Sequence, residues 1–394
     1  MTEDATRTSQ KSSRTLREIA ELFFTLGCTA FGGPAAHIGL LRREVVERRA
    51  WIDDSLFTKF LGLVNLIPGP NSTEMVLLVG KARAGTRGLF LAGVCFIAPA
   101  ALITLAFAVL YVRYGTTAGA EWLLYGVKPV IIVIIASALF GLTKSVLSQP
   151  IAAVVAIGSL AGYLAGIGEI LLLAAGGLVF LGWRVVEQRA RRRSSLSILP
   201  LKVSAVSLAL AAAEAVPYSA ARLFWTFFKI GAVLYGSGYV LIAFLRSAFV
   251  VDLGWITEQQ LLDAVAFGQI TPGPLFSTST FIGYLVGGYS GALIATVAIF
   301  LPGFVFVLLS SFVLKLVARY TGLELALAGV SAAAISLMAG VTLQLGRDAL
   351  VDAQTVIIAL VAAYLLFRRG VGSTWLIAGG ATAGLLLKGA ASLI

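Results

Sequence analysis

Two cysteines and one histidine are all that 394 residues offer. Cys28 and Cys95 lie in apolar segments without the paired spacing of a zinc or redox motif, and His37 has no second histidine to share a metal. No metal site and no cofactor are expected, and both cysteines read as small packing residues. Charge is scarce as well: Asp, Glu, Lys and Arg make up 12% of the chain, where a soluble domain carries about 25%. No paired carboxylates and no nucleophile–base pair stand inside the apolar segments, which argues against an enzyme. No nucleotide-binding motif is present. The first fifteen or so residues lack an apolar core, so no cleaved signal peptide is expected.

What the chain has is hydrophobicity. Apolar residues make up 59%, mean hydropathy is +0.94, and several uncharged stretches approach the ~20 residues that span a bilayer. An all-α polytopic membrane protein, in contact with lipid, is the expected class. The net charge of +11 comes from arginines in short loops beside apolar segments, as the positive-inside rule requires. No nucleic-acid partner is expected.

Pro-Gly-Pro occurs twice inside apolar stretches, at Pro68-Gly69-Pro70 and Pro272-Gly273-Pro274. A shift of 204 residues, 24 to 228, superposes Phe24, Gly27, Gly32, Ile38, Leu41, Arg42, Val46, Trp51, Ile52 and the tripeptide on Phe228, Gly231, Gly236, Ile242, Leu245, Arg246, Val250, Trp255, Ile256 and its partner. With the offset reduced by one, Gly88, Pro99 and Gly126 fall on Gly291, Pro302 and Gly329. Helix breakers repeated in corresponding positions of two membrane halves point to a transporter's binding site.

The expected organisation is a basic cytoplasmic tail (1–18), a first membrane repeat (19–187), a basic loop with a connecting segment (188–221) and a second membrane repeat (222–394). Each repeat holds about six apolar segments, the first two broken by Gly and Pro. The run Gln188 to Ser195 reads as a loop, and an extra apolar stretch covers about Val203 to Val216. Six segments, one connector and six segments invert the second repeat. Charge agrees: the loops Arg42–Arg49 and Lys81–Arg87 are basic, whereas their equivalents hold Arg246 with Asp252, Glu258 and Asp263, and no charge at Tyr284–Ser290. Because the tail and both basic loops share one sign, re-entrant or deeply broken helices are favoured over full crossings.

Irregular backbone at membrane depth is tolerated only where protein or a water-filled cavity covers it. A helix that restarts after such a break turns free N–H groups and the positive end of its dipole toward the cavity, an environment for an anion. The candidate substrate contacts are Gly32, Gly33 and Pro34 at the first break and Asn65, Pro68, Gly69, Pro70, Asn71 and Ser72 at the second. Their second-repeat partners are Gly236, Ser237, Gly238, Gln269, Pro272, Gly273, Pro274, Ser277 and Thr278. Capping is the competing reading for any one of these residues, since Asn71 followed by Glu74 has the spacing of a capping box. Lys128 and Lys229 read as snorkelling or pairing residues, and His37 as a satisfied buried imidazole.

The runs Phe31-Gly32-Gly33-Pro34-Ala35-Ala36-His37-Ile38, Glu44-Val45-Val46 to Trp51, and Leu66-Ile67-Pro68-Gly69-Pro70-Asn71 resemble the signature of the chromate ion transporter family. The likeness continues through Arg83-Ala84-Gly85 and Tyr111-Val112-Arg113-Tyr114-Gly115. In the second half it is carried by Phe228 to Gly238, Trp255 and Gln269-Ile270-Thr271-Pro272-Gly273-Pro274. It is the long, two-domain form with halves of opposite orientation that the chain resembles. The resemblance implies export of chromate, a sulfate-like dianion, through the cell inner (plasma) membrane. Gly236-Ser237-Gly238 departs from the Gly-Gly-Pro form, so the halves need not contribute equally. The alternatives are another inorganic or small organic anion on the same scaffold, or a passive anion channel. A homodimer is left open.

Overall fold

A computed structural model describes residues 2–115, 117–146, 149–192, 216–235, 238–310, 312 and 321–391. Helix is the only regular structure among them. The first half contains α1 (Thr2–Thr29), α2 (Gly33–Arg42) running on as a π-helical turn (Arg43–Arg48), α3 (Asp54–Val64), α4 (Asn71–Tyr114), α5 (Ala118–Val146), α6 (Pro150–Leu164) and α7 (Glu169–Arg192). The second contains α8 (Ala220–Val233), a 3-10 turn (Gly238–Val240) leading into α9 (Leu241–Leu245) and a π-helical turn (Arg246–Asp252), then α10 (Glu258–Ile270). It ends with α11 (Thr278–Leu308), α12 (Thr321–Ala349), α13 (Ala353–Arg369) and α14 (Ser373–Ala391). Four stretches are long and apolar enough to cross a membrane by length and composition: Asn71–Tyr114, Ala118–Lys144, Leu275–Leu308 and Gly322–Ala349.

Polar caps set helix starts at the loops. Asp53 accepts from the Leu56 amide at 2.7 Å to open α3, and Thr257 with Gln260 forms a reciprocal capping box on α10. The expected loop at Gln188 is corrected: α7 continues through Arg192, because Glu, Gln, Arg and Ala are all good helix formers. The connecting stretch lies, but for Val216, outside the described residues.

Both broken segments of the first half double back. Trp51, just past α2, packs edge-on against Phe23 of α1 at 6.4 Å and lies under the guanidinium groups of Arg49 and Arg83. Arg83 in turn pairs with Glu18 of α1 at 3.3 Å. The polar end of α1, the end of α2 and the end of the first arm of α4 therefore meet at one face. Just beyond Arg83 the chain reverses through Ala84 and Gly85, the latter at φ 61°, ψ −150°, a conformation open to glycine and costly for other residues. The reversal brings the Gly80 and Gly88 backbones together: a Cβ on Gly80 would sit 2.6 Å from the Ala92 methyl.

The second half repeats this design. The Trp255 indole donates to the Val216 carbonyl at 2.6 Å and packs on Tyr218, 5.6 Å away, which itself lies against Gly287. α11 then reverses at Gly287-Gly288, with Gly288 at φ 61°, ψ −149°.

The two halves meet through contacts at both ends of their long broken helices. Lys81, at the Trp51 face, donates to the carbonyls of Val307 and Leu308 at the far end of α11. Tyr111, at the far end of α4, donates to Asp263 near the middle of α10 at 2.8 Å. Between them the second arms of α4 and α11 pack antiparallel, with Phe90 stacked on Phe304. Around this centre the repeats exchange partners: Gly126 of α5 abuts Gly380 and Gly384 of α14, and Gly329 of α12 abuts Gly176 of α7. Small residues let these backbones approach closely, which is how apolar helices associate without a hydrophobic driving force.

Candidate functional site

Pro68 and Pro70 have no N–H, so the amide of Gly69 is the one backbone donor of its tripeptide. It donates to the carbonyl of Leu234, in the first break of the other repeat, at 2.9 Å. The Gly273 amide donates to the carbonyl of Ala30 at 2.8 Å, and Ala30 and Leu234 correspond under the same 204-residue shift that relates the glycines. The two repeats are thus clasped by a reciprocal pair of hydrogen bonds between their breaks. Each glycine is also crowded. A Cβ on Gly273 would stand 2.7 Å from the Ala100 methyl, and one on Gly69 would strike the Glu74 carboxylate. His37 Nε2 donates to the same Ala30 carbonyl at 3.0 Å, with its ring edge-on to Phe96. The expectation of a buried, bonded imidazole holds at Nε2, while Nδ1 has no partner among the described residues.

Beside the clasp lies a cavity of about 510 Å³. Gly32, Asn65, Pro70, Asn71 and Ser72 line it from the first repeat's breaks, with Ile134, Ser137 and Gly141 from α5. Gly238, Tyr239, Leu275 and Phe276 line it from the second repeat, and Leu366 and Ser373 complete the wall. No acidic or cationic side chain is among them. A neighbouring cavity of about 260 Å³ shares Asn65 and Asn71 and adds Tyr235 and Ser331. The Tyr235 hydroxyl donates to the Asn65 carbonyl, and the Asn71 amide donates to the Asn65 side-chain oxygen at 2.9 Å.

The capping-box reading is corrected here. The residue before α4 is Pro70, which has no side chain to cap with, and its carbonyl accepts from Thr73 and Glu74. Asn71 is spent on Asn65, and Glu74 turns under Gly69. The first amides of α4 are left without the intrahelical partners that later residues have, at the positive end of the helix dipole and at the wall of the cavity.

Six of the eighteen candidates therefore share one cavity: Gly32, Asn65, Pro70, Asn71, Ser72 and Gly238. Gly33, Pro68, Gly69, Gln269, Pro272, Gly273, Pro274, Ser277 and Thr278 do not line it. Gly33 backs onto the Tyr239 hydroxyl, Gln269 is a hydrogen-bond partner of Tyr239, and the hydroxyls of Ser277 and Thr278 are buried without partners among the described residues. Pro34 sits in the first turn of α2. Gly236 and Ser237 lie outside the described residues. Tyr235, Tyr239 and the α5 wall were not singled out by sequence. The phenolic residues flanking a Gly-rich break were the available signal, since a buried tyrosine hydroxyl seeks a partner.

Lys128 pairs with Asp263 at 2.9 Å, both almost fully buried, and Tyr111 completes the cluster. It stands at a second polar cavity of about 610 Å³, lined also by Glu121, Gln259 and Asp348. Lys229 is exposed on α8.

A family model described as Chromate transporter matches the chain twice, over residues 17–181 and 221–385. A chromate transport protein from Cupriavidus metallidurans is 34% identical over 94% of this chain and 93% of its own length. One from Pseudomonas aeruginosa is 33% identical over 87% and 84%. A probable chromate transport protein from Synechococcus elongatus is 30% identical over 90% and 91%. No solved structure matches.

Proposed function

The chain belongs to the chromate transporter family, and we propose that it exports chromate, or a sulfate-like oxyanion, from the cytoplasm across the inner membrane. The anion binds in the cavity beside Asn65, Asn71 and Ser72. The observation that carries this reading is the clasp: Gly69 on Leu234 and Gly273 on Ala30 set both breaks at the junction of the repeats, with a polar cavity against them. That cavity offers side-chain amide and hydroxyl donors together with the first amides of α4, and among the described residues of its wall none carries a carboxylate to repel an anion. At about 30 Å³ per water, its volume takes an oxyanion with several waters. The relatives that bear chromate transport names support the choice of anion.

The face carrying Trp51, Arg42, Arg48, Arg49 and Arg83 is read as cytoplasmic. Both broken segments of the first repeat re-enter from it, and those of the second repeat enter from the opposite side. Cysteines at Arg48 and Thr257, in a background lacking Cys28 and Cys95, should then label from opposite faces of the membrane. Labelling from one face would refute the inversion.

A dianion leaving an inside-negative cell gains about 4.6 kcal/mol per 100 mV, at about 2.3 per charge, so potential alone supports export. Purified protein in liposomes should move labelled chromate, with sulfate competing, at rates that follow an imposed potential. Absence of any potential- or gradient-dependent flux of either anion would overturn the proposal.

A further inference from the structure

Glu74 is the one acidic side chain among the described residues that is wholly buried, at 0% exposure, with neither carboxylate oxygen bonded to protein. Its carboxylate lies under the Gly69 turn and against Gly303 of α11. Tyr235 is the titratable side chain that faces it, from the first break of the second repeat. Charges on the packed elements stand elsewhere. The charges of α1 stop at Glu21, with Cys28 nearer the break, and on α3 Asp54 and Lys59 are exposed. On α2, His37 bonds the Ala30 carbonyl and Arg42 pairs with Glu47 and Asp54. α11 holds no charged residue. On α4 itself, Lys81 lies about two turns on and is bound to the Val307 and Leu308 carbonyls. Beyond it come Arg83, Arg87, Cys95 and Arg113 on the far side of the reversal or at its edge.

An ionised carboxylate in this position would be an unpaired charge away from water, which proteins avoid by neutralising the group. Thr278 occupies the corresponding place in the second repeat, so the repeated architecture does not require an acid here. We infer that Glu74 is a proton-binding site next to the anion cavity, and that its proton crosses with the anion, so that one net negative charge moves per cycle and the potential still favours export, at half the drive of the bare dianion. The second half of this inference rests on the transport reading; the first does not. The coupling is electrostatic. An anion held at Asn71 and Ser72, on the same first turn of α4, is repelled by an ionised Glu74 and tolerated by a neutral one. Anion and proton therefore favour each other's binding, and linkage makes the effect reciprocal. When water reaches the break, Glu74 releases the proton to that side.

Two measurements on the full chain test this. Infrared spectra of the protein in lipid at neutral pH should show a carboxylic-acid carbonyl band that Glu74→Gln removes. No such band, or one unchanged in the variant, overturns the proton site. In liposomes clamped at zero potential, with the interior more alkaline, wild type should accumulate chromate about tenfold per pH unit. Sulfate, which does not titrate in this range, should do the same. Glu74→Gln, isosteric and permanently neutral, should still equilibrate the anion but show no accumulation. Accumulation retained in Glu74→Gln, or wild-type flux indifferent to the pH gradient, overturns the coupling. If the band behaves as stated but neither anion moves through wild type, the proton site stands and the transport reading falls.

Discussion

After Gly69 the chain reads Pro70-Asn71-Ser72-Thr73-Glu74, and after Gly273 it reads Pro274-Leu275-Phe276-Ser277-Thr278. The backbones around the two turns do the same work, each giving one glycine amide to the other repeat's first break. The side chains do not. Asn71 and Ser72 present polar atoms to the central cavity where Leu275 and Phe276 present hydrocarbon. The helices also start differently. α4 begins directly at Asn71, whereas a 3-10 turn from Leu275 to Ser277 intervenes before α11. Duplication has kept the clasp in both halves, and on the proposed reading the anion chemistry belongs to one.

If that division is right, damage to the clasp should be symmetric. Gly69→Leu and Gly273→Leu should each lower chromate uptake at least a hundredfold at normal membrane abundance. Both sit at positive φ, 134° and 86°, with no room for a Cβ. One glycine tolerating leucine would break the symmetry of the clasp.

Damage outside the breaks should fall on stability. Lys128 and Asp263 are a buried pair across the repeats, so Asp263→Ala should destabilise the protein by about 3–5 kcal/mol. Thermal unfolding in detergent would record this, and restoring charge balance with Lys128→Met in the same chain should recover much of it. A full-stability Asp263→Ala would mean that the pair is solvated.

The smallest effects should be asymmetric and separate the two turns. Asn71→Ala should raise the KM for chromate about tenfold, the scale of one hydrogen bond to a charged group. Leu275→Ala should change it less than threefold. Equal effects would assign the site to both repeats.

The sequence made the repeat and the position of the breaks legible, because Pro-Gly-Pro and Trp51/Trp255 recur in register where apolar composition alone would not place them. It did not show what each break touches. Gly69 meets Leu234, a residue without chemistry to draw notice, and only the fold brings a carbonyl at position 234 to an amide at position 69. Asn65 and Gln269 looked equivalent, yet Asn65 lines the cavity while Gln269 is engaged with Tyr239. Capping spacing misled at Asn71 because the turn leaves Pro70, not Asn71, in the capping position. Glu74 looked like part of that cap. Its burial depends on Gly303, more than two hundred residues away in sequence.

The most direct test is to locate the anion itself. A cryo-electron-microscopy map of the protein in a lipid nanodisc with chromate should show density between Asn65, Asn71 and Tyr239, on the first repeat's side of the clasp. Density confined to the cavity at Lys128 and Asp263, or placed equally at Leu275 and Phe276, would contradict the account.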